Sequence, residues 1–385
     1  MKKQLAIMMA FILSLVFLSG CGKEQPVSAT PSDIEPIQIG VLTVLTGDFA
    51  TLGTTCYKSM EIALEEVNAA GGIQGRPVEF VTLDTTGDPT ECVELARQLI
   101  EDDKICSILG PVRGGVEGFT ACPVTNEEGL VTVLPICSIS DFCKMGDYVF
   151  SMAGKQSYEM PHLVNAVLKD IANAKTVAVI YKNNEWGVSS VDALTATCED
   201  VGIEVVGLEP YAESETDFTT VLTKLRQTNP DTIVLVSEAV DGAAILTQMQ
   251  QLGWNDIVKV GVGSTYSEQL LSFASKDAAE GLLTTAAYFV SEDDPKGFAY
   301  TKEFEKRAGY APTVHGPLSY DAVVMLCAAI EKAGSTDRTA IKDALFALKD
   351  VEGIAGSYTF TEDGDILRDY SVIKVEKNEF VRYTK

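Results

Sequence analysis

Ile37-Gln38-Ile39-Gly40-Val41-Leu42-Thr43-Val44-Leu45 is a nearly continuous apolar run. A helical pattern from Leu52 to Ala70 follows it, with Met60, Ala63, Leu64 and Val67 recurring at helical spacing, and Gly71-Gly72 stops that pattern. The order then continues. Pro77 to Leu83 reads as a strand, Pro89 to Asp102 as a helix, Ile105 to Leu109 as a strand, Gly114 to Glu128 as a helix and Leu130 to Ile136 as a strand. The same alternation restarts after Lys175, with strands at Thr176 to Tyr181, Ile203 to Leu208, Thr232 to Ser237 and Ile257 to Gly261. Helices at Gly187 to Val201, Asp217 to Gln227 and Ala239 to Leu252 separate them. Strands that run as unbroken Val, Ile and Leu are buried on both faces, as in parallel sheets covered by helices. The fold class is therefore α/β, with two doubly wound parallel-sheet domains. Right-handed crossovers leave a crevice at the carboxyl ends of such strands. Those ends carry Thr46-Gly47-Asp48, Pro111 to Gly115 and Cys137 to Ser140 in the first domain. In the second they carry Asn183 to Trp186, Glu238 and Gly263 to Tyr266.

Beyond Gly281 the chain offers strands at Leu282 to Phe289, Gly356 to Phe360 and Tyr370 to Val375, and helices at Gly297 to Arg307, Tyr320 to Ala333 and Thr339 to Leu348. These do not make a third full repeat. They are expected to return to the two earlier sheets, crossing between them and forming a multi-strand hinge that permits closure around a ligand. The expected division is 37–153 plus about 286–353 for the first lobe and 154–285 plus about 354–385 for the second.

At the amino end, Lys2 and Lys3 precede the apolar run Leu5 to Leu18 and then Leu18-Ser19-Gly20-Cys21, the parts of a secretory signal. The apolar run is short for a bilayer span. Leu-Ser-Gly-Cys resembles a bacterial lipobox, which implies cleavage before Cys21 and lipid on its sulfur. Residues 1–20 are then a lipoprotein signal peptide and residues 21–36, rich in Lys, Glu, Gln, Pro, Ser and Thr, a flexible tether. Removing 20 of 385 residues leaves 365, more than one core usually organises. The formal charge of −25 becomes about −27 without Lys2 and Lys3, spread along the chain. Such a surface repels phosphate backbones and anionic headgroups, so nucleic acid is excluded and membrane attachment falls to the lipid.

Eight cysteines remain besides Cys21, with no C-x-x-C pair, and His162 and His315 lie far apart. A zinc site is not expected. The cysteines fall within helix and strand patterns and read as buried thiols, with room for one or two bridges in the first half. Nucleophile-elbow, zincin and phosphate-loop motifs are missing; Ala153-Gly154-Lys155-Gln156-Ser157 lacks the upstream glycine of a phosphate loop. No catalytic residue, metal or cofactor is assigned.

Particular residues carry a resemblance from about Ile37 to Val375. They are Ile39-Gly40-Val41 leading to Leu45-Thr46-Gly47, Val67-Asn68-Ala69-Ala70-Gly71-Gly72-Ile73-Gln74-Gly75, Asp88-Pro89, Leu109-Gly110-Pro111, Ala279-Glu280-Gly281-Leu282-Leu283 and Ser319-Tyr320-Asp321-Ala322. On these the chain resembles a substrate-binding protein of the type I periplasmic-binding (Venus-flytrap) fold, within the branched-chain amino acid (Leu/Ile/Val) receptor family of ABC importers. The resemblance implies an α-carboxylate held by hydroxyls and backbone N–H groups at Gly114 and Ser138, with Ile136 beside them, and an aromatic lid at Trp186. It also implies departures from the family pattern. Gly114 lacks the usual hydroxyl, Ser264 stands near the usual ammonium-binding glutamate, and Glu238 replaces an aromatic residue and could take over the ammonium. His315 replaces an apolar wall residue, and Leu52 an aromatic one.

The expected role is an exported, lipid-anchored monomer at the outer face of the cytoplasmic membrane or in the periplasm. There it captures a small amino acid or related carboxylate and delivers it to an ABC permease. A sensor passing ligand-bound shape to a signalling partner, and a binder of an aromatic acid or amide, stay open beside it.

Overall fold

The computed structural model describes residues 34–289 and 294–384. The signal, the lipidation site at Cys21 and most of the tether lie outside the described residues. Glu35 to Lys385 is one compact unit containing two principal sheets. Among the described residues no helix is long and apolar enough to cross a membrane.

The first sheet is built from β1 (Ile37–Thr43), β2 (Val78–Asp84), β3 (Ile105–Leu109), β4 (Val131–Leu134) and β5 (Val149–Ser151) in the order β2-β1-β3-β4-β5, every pair parallel. Helices α1 (Ala50–Ala69), α2 (Pro89–Glu101) and α3 (Gly118–Glu127) make the crossovers. Local chemistry fixes their ends. Gly72 has φ +72°, and a side chain there would meet the Arg76 carbonyl at 1.9 Å, so the turn after α1 admits only glycine. The Asp88 carboxylate accepts the Thr90 and Glu91 N–H groups at 2.7 and 3.0 Å, and Pro89 occupies the first turn of α2.

After β5 the chain crosses into α4 (Gln156–His162), which continues through a π-wound stretch at Leu163–Lys169. It then lays down β6 (Thr176–Lys182), α5 (Glu185–Val201), β7 (Glu204–Tyr211), α6 (Thr219–Gln227), β8 (Thr232–Val236), α7 (Ala239–Gln251), β9 (Val258–Gly261), α8 (Glu268–Phe273) and β10 (Leu283–Ala286). A second crossing leads to α9 (Pro295–Ala308), α10 (His315–Ala333) and α11 (Arg338–Ala347). A two-stranded ladder of β11 (Val351–Glu352) and β12 (Ser357–Tyr358) follows. A third crossing, around Arg368, enters β13 (Ser371–Glu376) and β14 (Glu379–Arg382). The second sheet has the order β14-β13-β10-β9-β8-β6-β7, with β13 and β14 antiparallel to their neighbours.

Three expectations need correction. The late strands do not complete both sheets: β10, β13 and β14 all join the second, while α9, α10 and α11 cover the first. Ala322, Val323 and Leu326 of α10 share a core with Val41, Met60 and Ala63. The expected strand at Gly356 to Phe360 shrinks to β12 because buried Asp321 captures its approach. That carboxylate accepts Ile354 N–H at 2.7 Å, Ala355 N–H at 2.8 Å and the Tyr358 hydroxyl at 2.6 Å, folding the segment into the small ladder. In addition, Cys56, Cys92, Cys106, Cys122, Cys137, Cys143, Cys198 and Cys327 are all free and buried, so no bridge forms in the first half. Burial pushes these thiols above their ordinary range, Cys137 to about 12, which suits small core residues and not reactive ones.

Arg368 ties the crossings together. Its guanidinium donates to the carbonyls of Met152 on the first crossing (3.3 Å) and Ala287 on the second (3.3 Å), and to that of Ala355 (3.0 Å). The three chain crossings are the only covalent connections between the two sheets among the described residues. A guanidinium that bonds all of them makes the hinge one cooperative element.

Candidate functional site

The carboxyl ends of both sheets open on one cleft of about 640 Å³. Lys182 is the last residue of β6, Ser138 stands four residues after the end of β4 and Glu238 two after that of β8, as this topology requires. Every residue assigned to the ligand from the sequence lines this cleft: Leu52, Gly114, Ile136, Ser138, Trp186, Glu238, Ser264 and His315. Leu52 comes from α1 and His315 from the first turn of α10. Trp186 sits in the first turn of α5, whose start is set by the Asn184 side chain accepting Gly187 N–H at 2.9 Å. Its indole packs against core residues of the second sheet and against the cluster of Ile139, Phe142 and Cys143 beside the first.

Gly114 has no space for a side chain. A Cβ there would lie 2.6 Å from Cys137 Cβ and 3.2 Å from a Leu134 methyl, so the missing hydroxyl is explained by packing. Ser138 accepts from Gln156 Nε2 at 2.8 Å. Ser264 donates its hydroxyl to the Ser237 carbonyl at 2.8 Å.

The second-sheet wall is charged. Lys182 reaches Asp241 at 2.8 Å and Glu238 at 3.7 Å, and the Tyr211 hydroxyl donates to Asp241 at 3.1 Å. Burial works against the Lys182 ammonium, but the charges of Glu238 and Asp241 outweigh it and hold its pKa above the usual value. Asp241 takes most of that cation. The Glu238 carboxylate, with its side chain 58 % exposed, keeps a largely open face. Across the cleft, burial holds the His315 imidazole below its ordinary pKa, with the charge of Glu238 opposing.

Two groups were missed by the sequence reading. Glu159 of α4 is 8 % exposed and lies on the cleft floor. Its Oε1 accepts Gly263 N–H and the Thr285 hydroxyl, both at 2.7 Å. Burial raises its carboxyl pKa, and these hydrogen bonds together with Gln156 and Arg368 oppose the rise. Gln156, also buried, joins Ser138 to Ser190 of α5. Gln156 falls in the segment Ala153 to Ser157, weighed only as a phosphate loop, and Glu159 just beyond it, and no local pattern marked either. Arg113 also lines the cleft. Its guanidinium lies 3.5 Å over the Phe49 ring and donates to the Gly87 carbonyl at 2.9 Å.

Two α/β lobes that face each other across one cleft, joined by a hinge of chain crossings, define a ligand receptor that encloses its substrate. The chain matches the model of a periplasmic binding protein over residues 36–379 and belongs to that family of exported substrate-binding receptors. Over 356 residues it is 28% identical to Leu/Ile/Val-binding protein homolog 3 of Brucella melitensis, covering 92% of this chain and 95% of that one. A branched-chain amino acid transporter substrate-binding protein of Streptococcus pneumoniae, solved with isoleucine, matches with a TM-score of 0.80 at 23% identity, covering 90% of this chain and 98% of that one. An ABC-transporter solute-binding protein of R. palustris, solved with benzoate, matches with a TM-score of 0.79 at 19% identity, covering 90% of this chain and 95% of that one. At these identities the solved structures speak for the fold.

Proposed function

We propose that this chain is the extracytoplasmic substrate-binding receptor of an ABC importer, capturing a small amino acid or related carboxylate between its lobes by hinge closure, and that it catalyses no reaction. The observation that carries the reading is one cleft with a hydroxyl, Ser138, on the first-sheet wall and an indole, Trp186, on the other. In this reading the ligand carboxylate lies at Ser138 and the Gly114 backbone, beside Ile136 and Leu52. Trp186 closes over the body of the ligand, and Glu238 takes an ammonium group. The lobes divide near 37–153 plus 286–367 and 154–285 plus 368–385, with the last boundary moved from 353/354 to the third crossing; the packing of α9 to α11 on the first sheet and of Tyr358, Phe360 and Ile366 in its core supports this division. Lipidation of Cys21 tethers a monomer beside its permease.

Ser264 and His315 standing where an amino acid receptor has a glutamate and an apolar wall favour a second reading, an aromatic or other carboxylate without an amine. The benzoate complex of a protein with the same fold agrees with it. A thermal-shift screen against α-amino acids, benzoate and related acids tests both. A ligand at a hundred times its Kd stabilises the folded state by about 2.7 kcal/mol. A shift with α-amino acids supports the first reading and a shift with amine-free acids alone the second. No shift with any carboxylate sinks both.

A further inference from the structure

Gln156 joins Ser138 on the first-sheet wall to buried Ser190 of α5 through one amide. Its Nε2 lies 2.8 Å from Ser138 Oγ and 3.4 Å from Glu159 Oε2, and its Oε1 lies 2.9 Å from Ser190 Oγ. The Ser190 hydroxyl also lies 2.8 Å from the carbonyl of Trp186. The Gln156 backbone N–H donates to the Ser138 carbonyl at 2.7 Å, so the side chain and the Ser138 loop are held in register.

An amide has a donating end and an accepting end, and its neighbours decide which points where. Here the deciding neighbour is Glu159. Every group that reaches its carboxylate can donate: Gly263 N–H and the Thr285 hydroxyl on Oε1, and Gln156 on Oε2. A carboxylate only accepts, so it repels an amide oxygen and draws the NH2 group. The same NH2 then faces Ser138. Ser138 therefore spends a lone pair on Gln156 and keeps its single proton. Among the described residues no acceptor takes that proton, and Ser138 lines the cleft.

We infer that Glu159 and Gln156 are positioning residues. They fix the direction of the hydrogen bonds so that Ser138 keeps its proton for the ligand, which favours the stronger acceptor, a charged carboxylate, over the neutral carbonyl of an amide. This rests on the placement of the carboxylate at Ser138 proposed above. It extends that reading by naming the residues that polarise the site, neither of which touches the ligand through this bond. It also links the loop after β9, which supplies Gly263, to the first-sheet wall through a continuous chain of hydrogen bonds, in which Glu159 accepts from Gly263 and Gln156 and Gln156 donates to Ser138.

Two measurements test it. The first needs no ligand: neutron diffraction from crystals of the protein exchanged into deuterium oxide. The inference expects two deuterons on the Gln156 nitrogen, one directed at Ser138 Oγ, and the Ser138 deuteron turned into the cleft. A Ser138 deuteron pointing at Gln156 Oε1 overturns it. The second is calorimetric titration of wild type, Gln156→Glu and Glu159→Gln with L-leucine against L-leucinamide and with benzoate against benzamide. Glutamate at position 156 accepts from both Ser138 and Ser190, so the proton turns away from the ligand. A hydrogen bond to a charged acceptor carries roughly ten- to hundredfold in affinity. Gln156→Glu should weaken the acid that binds by that factor and leave its amide within about threefold, by the same rule for a neutral acceptor. Glu159→Gln, which frees the amide to turn, should narrow the same preference by less. Equal losses for acid and amide mean a merely structural role and overturn the inference. If wild type binds neither acid, the carboxylate reading itself fails, and the neutron result still decides the direction of the bonds.

Discussion

Arg368 should be the residue whose loss loosens the hinge most, and its contacts allow the cost to be worked out. Arg368→Met keeps the unbranched stem and removes the guanidinium, leaving the carbonyls of Met152, Ala287 and Ala355 without that donor. A buried polar group left unpaired costs about 1–3 kcal/mol. The three bonds are long, at 3.0 to 3.3 Å, and water can reach parts of a hinge, so the low end applies and the total is about 3 kcal/mol. With about 2.1 cal/mol/K of unfolding entropy per residue over about 350 described residues, that loss lowers Tm by about 4 °C. Arg368→Lys retains a charge but presents no planar fork, so it should recover about half of the drop. Scanning calorimetry on the three proteins provides the assay. Both variants melting within 1 °C of wild type would refute the assignment of the crossings to one clamped element.

Gly114→Ser should destabilise the fold by about 1–3 kcal/mol without improving binding, because the new Cβ meets Cys137 Cβ at 2.6 Å; a chemical melt of unchanged midpoint contradicts this. Trp186→Ala should weaken the ligand found by screening by roughly tenfold or more in titration, since buried aromatic anchors dominate binding energy. Unchanged affinity removes Trp186 from the site. For Asp84, burial raises the carboxyl pKa, but hydrogen bonds from Leu45 N–H at 2.8 Å, the Thr46 hydroxyl at 2.7 Å and Thr86 N–H at 3.0 Å outweigh it and leave the value lowered. Its stabilisation is therefore present above the unfolded carboxylate pKa and lost as pH falls through the folded one. Asp84→Asn should cost about 1 kcal/mol near neutrality and approach zero in acid, and urea melts across pH that show a constant difference would contradict it. Cys21→Ser should release the protein from membranes into the soluble fraction, whereas retention points to an uncleaved anchor.

The alternating pattern made the repeated β-α architecture legible because each parallel strand is apolar throughout and each crossover helix has its own stop, as at Gly71-Gly72 and Asp88-Pro89. The short β5 carries only Val149, Phe150 and Ser151, too few residues to show a period. The fate of the late helices also escaped the sequence. Tertiary packing of α10 on α1 decides it, and α10 is apolar on nearly every face. At the site, residues on strand ends followed from topology, so Ser138, Trp186 and Glu238 could be found. Gln156 and Glu159 could not, because their roles arise from partners more than 15 positions away: Ser138 and Ser190 for one, Gly263 and Thr285 for the other. No local pattern records such pairings.

The central claim is capture between two lobes by closure, and small-angle scattering during ligand titration tests it most directly. With the acid found by the thermal-shift screen, the account predicts a radius of gyration that falls in step with occupancy and saturates with it, a shift absent in buffer alone. Binding that saturates with no change in dimensions, and with affinity untouched by Trp186→Ala, would contradict it.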